Sequence, residues 1–112
     1  MFVELNRHRE VRVIKHIVLW KLKDEALGAT KAENAERIRG EAAALAGIVP
    51  GLRAIEAGIN FEPSDAAWDI GLYAEFDSRE ALNAYQIHPR HEEFKNLIAE
   101  VRKDRAVIDY EA

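Results

Sequence analysis

The 112-residue sequence contains no cysteine, which excludes disulfide bonds, thiolate nucleophiles and thiolate metal sites. It also lacks any apolar run long enough to cross a bilayer, so we expect no membrane partner. Basic residues do not exceed acidic ones, and a formal net charge of −4 argues against nucleic acid as a partner. Glycine-rich phosphate loops, serine elbows and dinucleotide fingerprints are missing, so we expect no cofactor.

The residues that are present describe one globular domain. Hydrophobic residues make up 48% of the chain and charged residues 32%, which is a balance typical of a folded protein. We interpret residues 1–11 as a polar N-terminal arm and residues 12–112 as the domain. Because the arm has no apolar core of a secretory signal, we expect a cytoplasmic location. The basic cluster at residues 102–105 is interpreted as a solvated helix end.

Hydrophobic periodicity predicts four strands and three helices. The first strand has apolar residues on both faces, as expected for a strand covered on two sides. Asp77 and Glu80 suggest a capping box that starts a helix at Ser78, and Pro89 suits the first turn of the next helix. Strands are predicted at residues 11–22, 52–60, 68–76 and 105–110, and helices at residues 24–46, 78–87 and 89–103.

This β-α-β-β-α-β order, with its last helix in two pieces, predicts an α+β ferredoxin-like fold. Such a split βαβ arrangement has a four-stranded antiparallel sheet with helices on one face. Because the strands carry apolar residues on both faces, the face without helices should not remain in water. We therefore expect a homodimer in which two sheets pack together as a dimeric α/β barrel.

The segment Tyr85–His91 combines a phenol and two imidazoles, which are groups that can transfer protons near neutral pH. His91 is either a general base or a buried histidine of the helix stripe. Tyr85 is either a hydrogen-bond donor to a substrate or a core aromatic. His88, at the junction before Pro89, is expected more often to cap the second helix.

His16 lies on an apolar strand face and is either a buried histidine with a partner or a polar group of a pocket. A zinc site formed by His16, His88 and His91 is conceivable, but His88 should point away from His91. We therefore expect no metal. Trp20 and Trp68 are interpreted as core or cavity wall.

Three stretches resemble the stress-responsive α/β-barrel domain family of small dimeric α+β barrel proteins. They are residues 15–23 in the first strand, residues 48–52 after the first helix, and residues 85–91 with their His-Pro-x-His element. The resemblance implies homodimers, and most members of this family have no established activity.

The resemblance also implies roles for single residues. In plant members that act as polyketide cyclases, the second histidine of the element is the base, the preceding tyrosine assists it, and an aspartate of the last strand orients it. The matching catalytic residues are His91, Tyr85 and Asp109. The residues expected to contact the substrate are His16, Val18, Trp20 and His88.

Two departures from the family pattern bear on the substrate. Trp20 stands where a smaller side chain or phenylalanine is usual, which should narrow the cavity. Arg90 stands where a small residue is common, which should add a charge near the mouth. Both argue against a bulky polyketide.

Three functions remain open at this point. The first is cofactor-independent acid/base catalysis, of the cyclase, isomerase or lyase kind, on a small carbonyl or aromatic compound. The second is a non-catalytic stress-response protein that binds a small apolar molecule. The third is a haem-linked oxygenase of related dimeric barrels. Whether the protein is an enzyme is left undecided.

Overall fold

The structure is a computed structural model that describes residues 12–112. The predicted arm at residues 1–11 lies outside the described residues. The elements in chain order are β1 Ile14–Leu22, β2 Glu25–Ala26, β3 Ala29–Thr30, α1 Lys31–Ala43, β4 Leu52–Ile59, β5 Ile70–Phe76, α2 Arg79–Ile87, α3 Pro89–Val101 and β6 Arg102–Glu111.

The main sheet has four antiparallel strands in the order β4-β5-β1-β6. This confirms the predicted α+β ferredoxin-like fold, with β1 in the interior of the sheet. Within one chain the sheet is open and not a closed barrel, and β4 and β6 form its edges. β1 places His16 opposite Ala74 of β5 and Asp109 of β6. Residues from three distant segments therefore share one face of the sheet.

The first predicted helix is too long at its N-terminal end. Residues 25–30 form the small hairpin β2-β3, whose turn has positive φ at Leu27 and Gly28. α1 begins only after Thr30, because the Thr30 side chain accepts a hydrogen bond from the Glu33 backbone and the Glu33 side chain accepts one from the Thr30 backbone. The capping box is a local signal for the start of the helix. The apolar periodicity alone did not mark this boundary, so the prediction included the preceding residues in the helix.

Among the other boundaries that differ from the prediction, two change the interpretation of individual residues. Ser78 is the N-cap of α2, because its hydroxyl accepts a hydrogen bond from the Ala81 backbone N–H at 3.1 Å, so the predicted pair of Asp77 and Glu80 does not start the helix. The last strand begins at Arg102, directly after α3, and not at Arg105. The basic cluster predicted to be a helix end is therefore the first part of β6.

The helix-covered face of the sheet holds the hydrophobic core. Every second residue of β1 and of β5 is buried there, and side chains of the three helices complete it. The turn at Gly51 brings β4 close to α2. Gly51 has a φ of +82°, and a Cβ added there would lie 2.5 Å from the Cβ of Ala81. Only glycine permits both this conformation and this approach.

None of the helices within residues 12–112 combines the length and the apolar character required to span a membrane.

Candidate functional site

A cavity of about 370 Å³ lies between the covered face of the sheet and α3. Its volume falls in the range of small-molecule pockets, which is about 300–1,000 Å³. The lining combines buried apolar walls with a few polar groups. The residues that line the cavity include His16, Val18, Trp20, Leu72, Tyr85, His91, Phe94, Ile98, Arg102 and Arg105.

Three expected site residues meet at the inner end of this cavity. The ring centroids of Tyr85 and His91 are 3.8 Å apart, with an angle of 32° between the planes. The His16 ring lies 6.0 Å from the Tyr85 ring in an edge-on arrangement. Strand β1 supplies His16, α2 supplies Tyr85 and α3 supplies His91, so the site depends on how the helices pack on the sheet.

His16 is buried and has a partner. Its Nδ1 forms a short hydrogen bond with Oδ1 of Asp109, which lies opposite it in the β1-β6 register. A carboxylate that accepts from Nδ1–H holds the imidazole in the tautomer whose Nε2 is an acceptor. The Asp109 side chain is about 40% exposed, so the pair lies at the boundary between core and solvent.

The expected hydrogen bond between Asp109 and His91 is not formed. Nδ1 of His91 is buried without a partner among the described residues, because Asp109 lies on β6 beside His16 whereas His91 lies on α3. Burial lowers the pKa of His91 to about 4, and the nearby backbone of Gln86 opposes this only in part. The ring is therefore neutral at pH 7.

Tyr85 is almost completely buried in the cavity wall. Burial raises the pKa of its phenol above the ordinary value, because the phenolate would lose its hydration. The hydroxyl therefore keeps its proton at neutral pH. A protonated phenol in a cavity wall is able to donate a hydrogen bond to a bound oxygen atom.

His88 joins α2 to α3 and does not line the cavity. It ends α2 and is the N-cap of α3, and its Nδ1 accepts a hydrogen bond from the Arg90 backbone N–H at 3.1 Å. This confirms the capping interpretation. Arg90 is likewise absent from the cavity lining, because its guanidinium lies 3.7 Å from the Glu93 carboxylate on the outer surface of the helix.

Trp20 occupies the cavity wall, as its position on β1 predicts, and packs edge-on against Phe94 with ring centroids 6.1 Å apart. Its Nε1 is buried without a hydrogen-bond partner among the described residues. An unpaired buried donor costs roughly 1–3 kcal/mol, so this side chain fills space at some expense in stability.

The mouth of the cavity contains residues that sequence reasoning missed. Lys95, Arg102 and Arg105 line it, together with Glu92. Arg105 lies opposite Trp20 in the β1-β6 register. Arg105 belongs to the predicted strand at residues 105–110, and alternation places it on the same face as Asp109.

Within residues 12–112, no group of three or more histidine, aspartate or glutamate side chains is arranged to hold a metal ion. The three histidines of the conceivable zinc site are distributed between the cavity wall and the α2-α3 junction.

Comparison with known proteins decides the family. The model of the family described as the stress responsive A/B barrel domain matches residues 14–112, which is nearly the whole chain. The chain belongs to this family. None of the curated proteins compared with the chain matches it.

Solved structures related to this stress-responsive barrel protein share its fold. A dimeric protein of unknown function with a ferredoxin-like fold from Bacteroides fragilis is 34% identical, with a TM-score of 0.76 over 89% of this chain and 96% of the other. A dimeric ferredoxin-like protein of unknown function from Thermobifida fusca is 22% identical, with a TM-score of 0.78 over 92% and 93%. A hydroxynitrile lyase from Passiflora edulis is 18% identical, with a TM-score of 0.75 over 92% and 95%. The last two likenesses concern the fold alone.

Proposed function

We propose that this stress-responsive barrel protein is a homodimer whose cavity carries out cofactor-independent acid/base chemistry on a small carbonyl or aromatic compound. The observation that supports this most directly is the hydrogen bond between His16 and Asp109 in a cavity wall that also holds Tyr85 and His91. A histidine oriented by a carboxylate is the common arrangement of a general base.

His16 is the base in this proposal, and Asp109 is its positioning residue. The carboxylate holds Nδ1 as the donor, which leaves the lone pair of Nε2 available to accept a proton from the substrate. It also stabilises the imidazolium that forms when the proton is transferred. This arrangement differs from the one that the family resemblance implies, in which His91 is the base.

His91 and Tyr85 act as neutral hydrogen-bonding groups. A histidine with a pKa of about 4 is a weak base at neutral pH, so His91 is less suited to deprotonate a carbon acid than a histidine paired with a carboxylate. The Tyr85 phenol, which stays protonated, donates to the carbonyl oxygen as negative charge develops there. Together they favour an enolate over the neutral ketone.

The test uses hydrogen exchange, which requires no knowledge of the natural substrate. Acetophenone in D2O is incubated with the protein, and loss of its methyl hydrogens is followed by proton NMR. We expect exchange above the buffer rate, because abstraction of a carbon-bound proton is the common first step of enolisation and cyclisation.

Variants separate the two assignments of the base. We expect His16→Asn to abolish the protein-dependent exchange and Asp109→Asn to lower its rate at least about tenfold, while His91→Asn leaves a measurable rate. Asp104→Asn is the matched control, because Asp104 is on the same strand but on the other face, opposite Lys21. A greater loss from His91→Asn than from His16→Asn would restore His91 as the base.

The second candidate function is binding of a small apolar molecule without turnover. The buried apolar side chains of Val18, Leu72, Phe94 and Ile98, which form much of the cavity wall, favour it. Native mass spectrometry of the purified protein would show a bound metabolite in this case. No exchange by the wild type, together with such a ligand, would support this candidate over catalysis.

The homodimer forms through the face of the sheet that has no helices. This open face carries Ile17, Leu19, Tyr73, Ala106 and Ile108, which share one side by strand register. The Ile108 side chain is 57% exposed in the single chain, and a shallow groove beside Leu19 runs over two facing glycines of β4 and β5. Apolar side chains of a second copy would bury this surface, as the dimeric relatives suggest.

A further inference from the structure

The mouth of the cavity carries two arginines in the first part of β6. Arg102 is the C-cap of α3, where its backbone N–H donates to the Ile98 carbonyl, so its side chain is not needed to end the helix. Arg105 lies three residues further on, beside Trp20 on the cavity side of β6. Both residues line the cavity and are exposed to solvent.

These two arginines make no ion pair with any residue that the structure describes. The other charged residues of the lining neutralise each other, since Nζ of Lys95 lies 3.5 Å from the Glu92 carboxylate and donates to the Gln86 carbonyl at 3.0 Å. The mouth therefore has a local excess of positive charge in a chain whose formal net charge is −4. Because the chain as a whole is acidic, this excess of positive charge is local to the cavity.

We propose that the molecule bound in this cavity carries an oxyanion, which Arg102 and Arg105 bind at the mouth, on a small apolar body that extends inward. This inference rests on the proposed function, because the inner end of the same molecule would present its reacting group to His16 and Tyr85. Guanidinium groups bind carboxylates and phosphates through paired N–H donors, so the two arginines are able to bind either oxyanion. The apolar inner wall selects the uncharged part of the ligand.

Three probes that share a phenyl ring and differ in the group attached to it test the charge. Phenylacetate carries a carboxylate, phenylacetamide is its neutral counterpart, and phenyl phosphate carries a phosphate ester. Their dissociation constants are measured by NMR titration of the backbone amides. We expect phenylacetate to bind at least about tenfold more tightly than phenylacetamide, with an affinity that falls as NaCl is added.

Variants test whether the two arginines cause the tighter binding of phenylacetate. In the double variant Arg102→Gln and Arg105→Gln, we expect the advantage of phenylacetate to disappear while the affinity for phenylacetamide stays unchanged. Arg37→Gln is the matched control, because Arg37 is an exposed arginine of α1 that does not line the cavity. Melting temperatures verify that each variant is folded.

Each result decides the proposal. Equal affinity for phenylacetate and phenylacetamide, or no saturable binding of either oxyanion, overturns it. A preference for phenyl phosphate over phenylacetate that requires both arginines upholds the oxyanion and assigns it to a phosphate ester. Charge-dependent binding without acetophenone exchange counts against the acid/base function alone, whereas exchange without charge-dependent binding counts against this inference alone.

Discussion

The two faces of the central sheet are built from alternate residues of the same strands, yet they are suited to different purposes. On the covered face, β1 contributes His16, Val18 and Trp20, which are buried and line the cavity. On the open face, the neighbouring residues Ile17 and Leu19 remain partly exposed in the single chain. One strand thus supplies the candidate site with one set of side chains and the proposed dimer interface with the other.

The two faces also treat polar groups differently. The covered face isolates the Nε1 atom of Trp20 from any described partner. On the open face, the Tyr73 hydroxyl donates to the Glu75 carboxylate at 2.5 Å, and this hydrogen bond raises the pKa of Tyr73. The Tyr73 hydroxyl thus has a partner at the surface. On the covered face, His16 has a partner in Asp109 of the neighbouring strand, whereas the indole N–H of Trp20 has none among the described residues.

The largest expected effect comes from a cavity on the covered face. Phe76 is fully buried and packs against the rings of His16 and Tyr85. We expect Phe76→Ala to lower the free energy of unfolding by about 3–5 kcal/mol, measured by urea denaturation. Phe61→Ala, at a side chain that is 91% exposed, is the matched control and should change it by less than about 0.5 kcal/mol. An equal loss of unfolding free energy in Phe76→Ala and Phe61→Ala would contradict the assignment of Phe76 to the buried core and of Phe61 to the surface.

The next effect concerns the open face. Ile108→Lys should raise the dissociation constant of the homodimer at least about 100-fold, because a lysine at the centre of an apolar interface loses its hydration. Sedimentation velocity measures the association, and circular dichroism shows that the fold is retained. Ile87→Lys is the matched control, since Ile87 is 75% exposed at the end of α2 and away from the sheet. Dimers of unchanged affinity in Ile108→Lys would place the interface elsewhere.

A smaller effect depends on pH and arises from His91 on the covered side. The unfolded chain binds a proton at this histidine near pH 6.5, whereas the folded protein does so only near pH 4. The contribution of the neutral ring to stability is thus present in full above about pH 6.5 and is lost as the pH falls toward 4.

We expect this loss to be on the order of 2 kcal/mol, allowing for partial solvent screening. Urea denaturation at a series of pH values measures it. The stability of His91→Asn should decline less over the same range, since the variant lacks the titrating group. Parallel declines in the variant and the wild type would show that His91 titrates normally in the folded protein.

The smallest effect is expected at Trp20, also on the covered face. Trp20→Phe removes the unpaired indole N–H but also removes buried apolar surface, and these changes oppose each other. We expect a net change in the free energy of unfolding of less than about 1 kcal/mol. Thermal denaturation measures it, with Trp68→Phe as the control at a partly exposed tryptophan. A loss of several kcal/mol would indicate that the indole N–H has a partner in solution.

Local patterns predicted most of the fold. The apolar run of β1, the alternation of β5 and the Pro89 start of α3 are properties of neighbouring residues, and the structure confirms those elements. The errors occurred where two local signals competed. Residues 25–30 were included in the predicted helix although Gly28 lies among them, and the Thr30 capping box, which marks the true start of α1, went unrecognised.

The candidate site was predicted less completely. His16, Tyr85, His91, Val18 and Trp20 do line one cavity, but the partner of Asp109 was assigned to the wrong histidine. Arg102 at the mouth was missed because the start of β6 was placed three residues too late. Arg105 lies inside the predicted strand and shares a face with Asp109 by alternation, so its place beside the cavity could be predicted from the sequence.

The sequence by itself determined the order of the helices and of the strands in the main sheet, the apolar character of both sheet faces and the histidine cap of α3. These depend on residues that are close together in the chain. Only the tertiary structure decided that Asp109 bonds His16 across 93 positions and that His91 has a buried, unpaired nitrogen. The physical reason is that strand register and helix packing determine which distant side chains meet, and that burial then determines which of them keep their protons.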